Sequence, residues 1–210
     1  MLRTLVAALV LLPSLVSAAQ FEAGKHYEVL STPKTATPEV VEFFSFYCPH
    51  CRAFEPFAQE LNKSLPKGQK LIRNHVDFLR AAPPEVQAEL GKAFLVAESV
   101  GQGDHIADAI FNYIHQQRAS FSNAHDIRSL MLVNDVPAMV YDAGLVSPKI
   151  QAEAQAVKDR QDFYTKAEVL KGVPTLIVNG KYQVKFGELD SAHFQQQLNE
   201  LVAYLLAKKD

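Results

Sequence analysis

Cys48-Pro49-His50-Cys51 holds both cysteines of the 210-residue chain. A disulfide across this spacing closes a loop of only about four residues. Loop-closure entropy gives such a bridge about 2 kcal/mol, against about 4.7 for a loop of 100 residues. It would be a weak staple, and it adds no connection that a local helix does not already impose. A zinc site would need two further ligands, and only histidines remain to supply them. His75, His105, His115, His125 and His193 are scattered along the chain and read as surface or packing residues. The spacing favours a third chemistry, reversible thiol–disulfide exchange.

The flanking residues explain how the pair could be tuned. "EVVEFFSFY" (Glu39–Tyr47) is a nearly continuous apolar, β-branched and aromatic run, the pattern of a central strand buried on both faces. After Cys48, Phe54, Phe57, Ala58, Leu61 and Leu65 recur at helical spacing, predicting a helix from about Pro49 to Leu65. Cys48 therefore falls at a helix N-terminus, where unpaired N–H groups and the positive end of the dipole favour a thiolate over a thiol. Pro49 suits the first helical position because it has no N–H to leave unpaired. His50 can add a donor or a positive charge beside the sulfur. All of these lower the Cys48 pKa and make it the exposed attacking sulfur, with Cys51 as the resolving thiol one helical turn further in.

The rest of the chain supplies a scaffold. His26–Leu30 and Gln69–Phe78 read as strands, so the first part is β-β-α-β. A long stretch without strand signals follows. Val86, Leu90, Ala93, Phe94 and Ala97 form one helical stripe. Asp104 can cap a second helix, Asp126–Val133 is a third, Pro137 can open a fourth, and Ser147-Pro148 a fifth. Strands return in "VPTLIVNGKYQVKF" (Val173–Phe186), whose Asn179-Gly180 is a strong hairpin signal. Ser191 can cap a final helix. The fold class is α/β: residues 19–79 and 161–210 can share one sheet, and residues 80–160 form an all-helical insertion.

Two charges stand out. Glu42, between Val41 and Phe43, points into apolar surroundings if the strand is buried, so it must be paired or protonated. An exposed edge is the other reading. Arg73 in "LIRNHV" is a candidate partner, and such a pair could relay protons when Cys51 titrates. Glu55 lies seven residues past Cys48 on the same helix face and could join them, although a solvated charge is its ordinary role. Pro174, taken alone, is a turn proline whose loop could lie against the cysteines.

"MLRTLVAALVLLPSLVSA" has one Arg, an apolar run broken by Pro13, and small residues, which reads as a signal peptide over residues 1–18 cleaved after Ala18. The apolar run is short for a membrane anchor. Cleavage leaves 20 Lys and Arg against 23 Asp and Glu, a side-chain charge of −3. Nothing in that balance calls for nucleic acid. Export places the chain where disulfides persist.

"EFFSFYCPHCRAFE", "AQFEAGKHY" and "GVPTLIVNGKYQV" resemble the DsbA family of thiol:disulfide interchange proteins, across essentially the whole exported chain. The resemblance implies a thioredoxin fold interrupted by a helical domain. It implies Cys48 as nucleophile, Cys51 as resolving thiol, His50 as the tuning residue, a cis bond at Val173–Pro174 beside them, and Glu42 as the acid beneath. The family's basic partner is typically Lys where this chain has Arg73. Arginine does not give up its proton, which puts a relay role in question. Thr175 beside the cis-proline is a second departure.

The expected function is that of an exported, periplasmic dithiol oxidase. It would donate the Cys48–Cys51 disulfide to newly translocated, unfolded proteins through a mixed disulfide at Cys48. A membrane, quinone-linked partner of DsbB type would then reoxidise it. No metal or other cofactor is implied beyond the redox-active disulfide. No separate dimerisation segment is read after the leader, so a monomer is expected. The competing readings are a reductase or isomerase, and a non-catalytic chaperone or metal-binding module.

Overall fold

The computed structural model describes residues 21–209. The expected signal peptide and its cleavage after Ala18 lie outside these residues. Five strands form one sheet: β1 (Tyr27–Val29), β2 (Val40–Phe44), β3 (Leu71–His75), β4 (Thr175–Val178) and β5 (Tyr182–Val184). Their spatial order is β1-β5-β4-β2-β3. Only β2 and β3 pair in parallel, and helix α1 (Pro49–Ser64) is the crossover between them. This is the thioredoxin fold with an inserted helical unit.

The insertion comprises α2 (Pro84–Ser99), α3 (Gly103–His115), α4 (Ala124–Val133), α5 (Ala138–Leu145) and the start of α6 (Pro148–Lys166). The chain closes with α7 (Phe194–Ala207). Phe54, Ala58 and Leu61 of α1 join Leu198, Leu201 and Leu205 of α7 against Val40, Leu176 and Val178 of the sheet. On the opposite face, Val41, Phe43 and Ile177 pack against Tyr164 near the end of α6. Phe44 and Phe46 carry the core onward into the insertion, against Phe94 and Phe111.

Several boundaries differ from the sequence reading. The strand expected through Tyr47 leaves the ladder after Phe44, because Ser45–Tyr47 turn to deliver Cys48: the Cys48 N–H bonds the Ser45 carbonyl at 3.0 Å. The third strand is likewise shorter than Gln69–Phe78. α3 begins at Gly103, with Asp104 inside its first turn rather than at the cap. A Cβ at Gly103 would stand 2.9 Å from the Glu98 side chain, so the helix start packs too closely for a larger residue. α4 begins two residues before Asp126 because Asn123 caps it, accepting from the N–H groups of His125 and Asp126. Pro137 is the cap residue of α5, not its first helical residue. Asp190 caps a short 3-10 turn over Ser191–His193, so α7 starts three residues beyond the expected Ser191 cap.

Other local signals hold. Ser147 Oγ accepts the Ile150 N–H, with Pro148 at the first helical position of α6. Asn179 and Gly180 both have positive φ, 53° and 70°, as the tight hairpin between β4 and β5 requires. The Asn179 side chain also donates to the Leu205 carbonyl and accepts from the Glu39 N–H, tying the hairpin to α7 and the start of β2.

Candidate redox site

Cys48 is the N-cap residue of α1, with φ −94° and ψ 117°. Its sulfur stands where a capping oxygen usually does and accepts the Cys51 N–H at 3.3 Å. Pro49 occupies the first turn, and Pro49 and His50 are exposed. Both cysteines are free thiols. In its protonated form Cys48 donates to the Val173 carbonyl at 3.4 Å, and Val173–Pro174 is a cis peptide bond. Thr175 closes the same loop by donating to the Gly172 carbonyl at 2.8 Å. The expectation of an exposed Cys48 needs correction. It is 6% accessible against 1% for Cys51, because the Val173 loop folds over it. The order of burial is as expected, but the accessible edge at this site belongs to Pro49 and His50.

The two sulfurs are electrostatically unlike. The Cys48 thiol is lowered from 9.0 to about 6. The hydrogen bond from the Cys51 thiol is the largest cause, and the N–H groups of Cys51 and His50 and the His50 charge act in the same direction. Burial opposes them. Burial pushes the Cys51 thiol well up, and its bond to Cys48 and the charges of Cys48 and Glu42 add to this, against a smaller opposing contribution from the Ser45 backbone. The pair therefore reads as one anion shared through a hydrogen bond, held on Cys48.

His50 contributes through its backbone as well as its charge, which separates two variants. His50→Pro removes both and is expected to raise the Cys48 pKa by about one unit, the scale of one hydrogen bond to an anion. The reduction potential at neutral pH should then fall by about 20 mV. His50→Ala, which removes only the charge, should move both quantities less. Thiolate absorbance against pH reads the first quantity and equilibration with glutathione the second. Equal shifts in the two variants would remove the backbone contribution.

Beneath the sulfurs lies a carboxylate–guanidinium–carboxylate group. β2 and β3 are in register at Glu42 and Arg73, so both side chains point to the α1 face. Arg73 Nε lies 2.7 Å from Glu42 Oε2 but out of line for a hydrogen bond, and neither Glu42 oxygen has a hydrogen-bond partner among the described residues. Arg73 grips Glu55 with both terminal nitrogens, at 3.0 and 2.6 Å. Glu55 is thus no solvated charge: α1 lays it directly over β3, only 3% accessible. The guanidinium also lies 4.3 Å from the Phe44 ring centre. Burial raises Glu42 from 4.5 to about 7, against the opposing pull of Arg73 and with added repulsion from Glu55. Burial works against the Arg73 charge, but the two carboxylates outweigh it and hold the guanidinium above its ordinary value. Of Glu42 and Arg73, only Glu42 can exchange a proton near neutral pH.

Two histidines read from sequence as packing or surface residues bear directly on the turn before Cys48. His75 Nε2 accepts the Phe46 N–H at 3.1 Å, and its ring stacks on Phe46 with centroids 5.0 Å apart. Burial and the Arg73 charge lower His75 to about 3, so it is neutral and remains an acceptor. His115 Nε2 lies 2.8 Å from the Phe46 carbonyl. Strand alternation offered a signal for His75, since Leu71, Arg73 and His75 share one face. No local signal exists for His115, 69 residues from its partner. Among the described residues, no group of three or more His, Cys, Asp or Glu side chains is arranged to hold a metal.

A thioredoxin sheet, a dithiol at the N-terminus of the crossover helix and a cis-proline loop against the first sulfur define a thiol:disulfide oxidoreductase. The Thioredoxin_4 family model, described as thioredoxin, matches residues 15–200. The thiol:disulfide interchange protein DsbA of Yersinia pestis is 36% identical over 201 residues, covering 92% of each chain. That of Escherichia coli K12 is 35% identical over 203 residues, again 92% of each. The crystal structure of Proteus mirabilis DsbA superposes with a TM-score of 0.77 at 33% identity, covering 91% of this chain and 100% of that one. A second structure from that organism, a cysteine-to-serine variant with a non-covalently bound peptide, has TM-score 0.77 and 32% identity and covers 90% and 100%. The chain belongs to the DsbA family of thiol:disulfide interchange proteins.

Proposed function

We propose that the protein is an exported dithiol oxidase that donates its Cys48–Cys51 disulfide to newly translocated, unfolded proteins. In the first step a client thiolate attacks Cys48 Sγ. The Cys48–Cys51 bond breaks, Cys51 leaves with the electron pair and takes a proton, and a mixed disulfide remains on Cys48. A second client thiolate then attacks the client sulfur of that bond, and Cys48 leaves as a thiolate. Two electrons have passed from the client dithiol to the cysteine pair.

The observation that carries this direction is the asymmetry of the thiols. At pH 7 a thiol at about 6 rather than 9.0 stabilises the reduced protein by about 1.4 kcal/mol, which makes the disulfide more oxidising by about 30 mV. A low value also makes Cys48 the better leaving group in the second step. The raised Cys51 favours uptake of a proton on release, and Glu42 at about 7 is a buried donor on that side. Arg73 holds the donor in place without exchanging a proton itself.

Val173 and Pro174, against Cys48, are the backbone on which an extended client would lie. A peptide bound to the Proteus mirabilis relative supports this reading. The division of the chain into residues 19–79 with 161–210, and 80–160, belongs to the same reading. It groups the last turns of α6, whose Gln161 and Tyr164 contact the sheet side, with the redox half. Residence in the periplasm as a monomer and reoxidation by a quinone-linked membrane protein of DsbB type complete it.

Cys51→Ala is the direct test. With the resolving thiol gone, Cys48 should accumulate covalent, reductant-sensitive adducts with exported proteins, and the wild-type pair should be mostly oxidised in intact cells. A mostly reduced pair would indicate a reductase or isomerase. Stoichiometric metal binding without adducts would indicate a carrier.

A further inference from the structure

The β2 ladder ends at Phe44, whose carbonyl accepts the Val76 N–H at 2.8 Å. Ser45, Phe46 and Tyr47 are buried beyond it, so their backbone groups need partners. Two of these are local: the Tyr47 N–H bonds Ser45 Oγ at 3.2 Å, and the Cys48 N–H bonds the Ser45 carbonyl. The Phe46 peptide groups are held from outside the turn, the N–H by His75 of β3 and the carbonyl by His115.

His115 is the last residue of α3, within the helical insertion. A carbonyl oxygen only accepts, so His115 Nε2 carries the proton and donates. Among the described residues, two hydrogen bonds join α1 itself to α3, Arg52 to Asn112 at 3.5 Å and Gln59 to Asp108 at 3.4 Å, both exposed and near the limit of a hydrogen bond. The His115 bond is shorter, half-buried, and reaches the segment that aims Cys48 at the α1 N-terminus. Around it the Phe46 ring packs edge-on against Phe94 and Phe111 of the insertion, and Phe111 lies against the His115 ring.

We infer that His115 is a positioning residue for the redox turn: by holding the Phe46 carbonyl it fixes the peptide that presents the Cys48 sulfur to the N–H groups of α1. The helical insertion thereby helps set the chemistry of the cysteine pair in addition to covering it. This deepens the oxidase reading and rests on it.

The test compares His115→Ala and His115→Gln in the full chain. Glutamine has an amide N–H that can donate to the same carbonyl, whereas alanine has none. For each protein, thiolate absorbance against pH, the equilibrium constant with glutathione and the urea midpoint are measured. Loss of one partly buried hydrogen bond predicts that His115→Ala shifts the glutathione equilibrium about three- to tenfold toward the oxidised enzyme. The Cys48 titration should move upward in parallel, and His115→Gln should return most of both effects. A lower urea midpoint with an unmoved Cys48 titration would make His115 merely structural and overturn the inference. So would alanine and glutamine variants that behave alike. A wild-type Cys48 that titrates like a free cysteine would instead sink the oxidase reading, while the difference between variants would still decide the role of His115.

Discussion

Arg73→Met is expected to lose about 3–5 kcal/mol of folding stability at neutral pH, the cost of leaving buried charge without its partner. Arg73 is the only cation within ion-pair distance of Glu42 and Glu55 among the described residues, and all three side chains are almost wholly inaccessible. Methionine fills much of the volume against Phe44 and Phe94, so the loss reports charge more than a cavity. Glu42→Gln should act in the opposite direction. A carboxyl raised to about 7 in the folded protein from an ordinary 4.5 destabilises the fold above the lower value, because the unfolded chain releases its proton more readily. At pH 7 the cost is on the order of 3 kcal/mol, and it disappears as the pH falls below about 4.5. Glu42→Gln therefore gains stability at neutral pH, with Glu55 still neutralising Arg73, and the gain vanishes in acid. The Arg73→Met deficit should shrink in acid for the same reason, as Glu42 takes up its proton. Urea unfolding at about pH 5 and about pH 8 separates these outcomes. A Glu42→Gln protein less stable than wild type at both values would mean that the buried carboxylate is retained for the fold and not for proton exchange.

The second large effect compares the two redox forms. Only the reduced protein has a Cys48 proton to lose. Its thiol lies at about 6 when folded and near its ordinary 9.0 when unfolded, so ionisation stabilises the folded reduced protein above pH 6, and the contribution is lost as the pH falls through that value. From pH 6 to pH 8 the reduced form should gain about 2 kcal/mol on the oxidised form. Cys51 does not alter this window: its raised pKa keeps it protonated when folded, and an unfolded cysteine is still largely protonated at pH 8. The oxidised form has the advantage of its short loop, about 2 kcal/mol, so the two stabilities should cross at neutral to mildly alkaline pH. Paired urea titrations of both forms across this range measure the slope directly. A difference that does not change with pH would mean that Cys48 is not held as an anion.

Much of this site could be read from local sequence because its parts are local. A thiol at a strand-to-helix junction, a proline in the first helical turn and an Asn-Gly hairpin act within about four residues of backbone, through capping and φ preferences. The phase of β2 was legible too, and with it the inward aim of Glu42. Helix starts were less so: Asn123 caps α4 and starts it two residues ahead of the expected Asp126, and Asp190 takes the cap expected of Ser191, since competing polar residues close together leave the choice to the path of the chain.

By itself, the sequence determined that both thiols sit together at the start of a helix, and the alternation of strands and helices that makes an α/β sheet with an inserted helical unit. The tertiary structure alone decided that Glu55 is a second buried counter-charge to Arg73, that the Val173 carbonyl shields Cys48, and that His75 and His115 hold the Phe46 peptide. These pairings span 18 to 125 residues of chain. Over such separations no backbone preference operates, and side chains meet only because sheet order and helix packing have already placed their elements together.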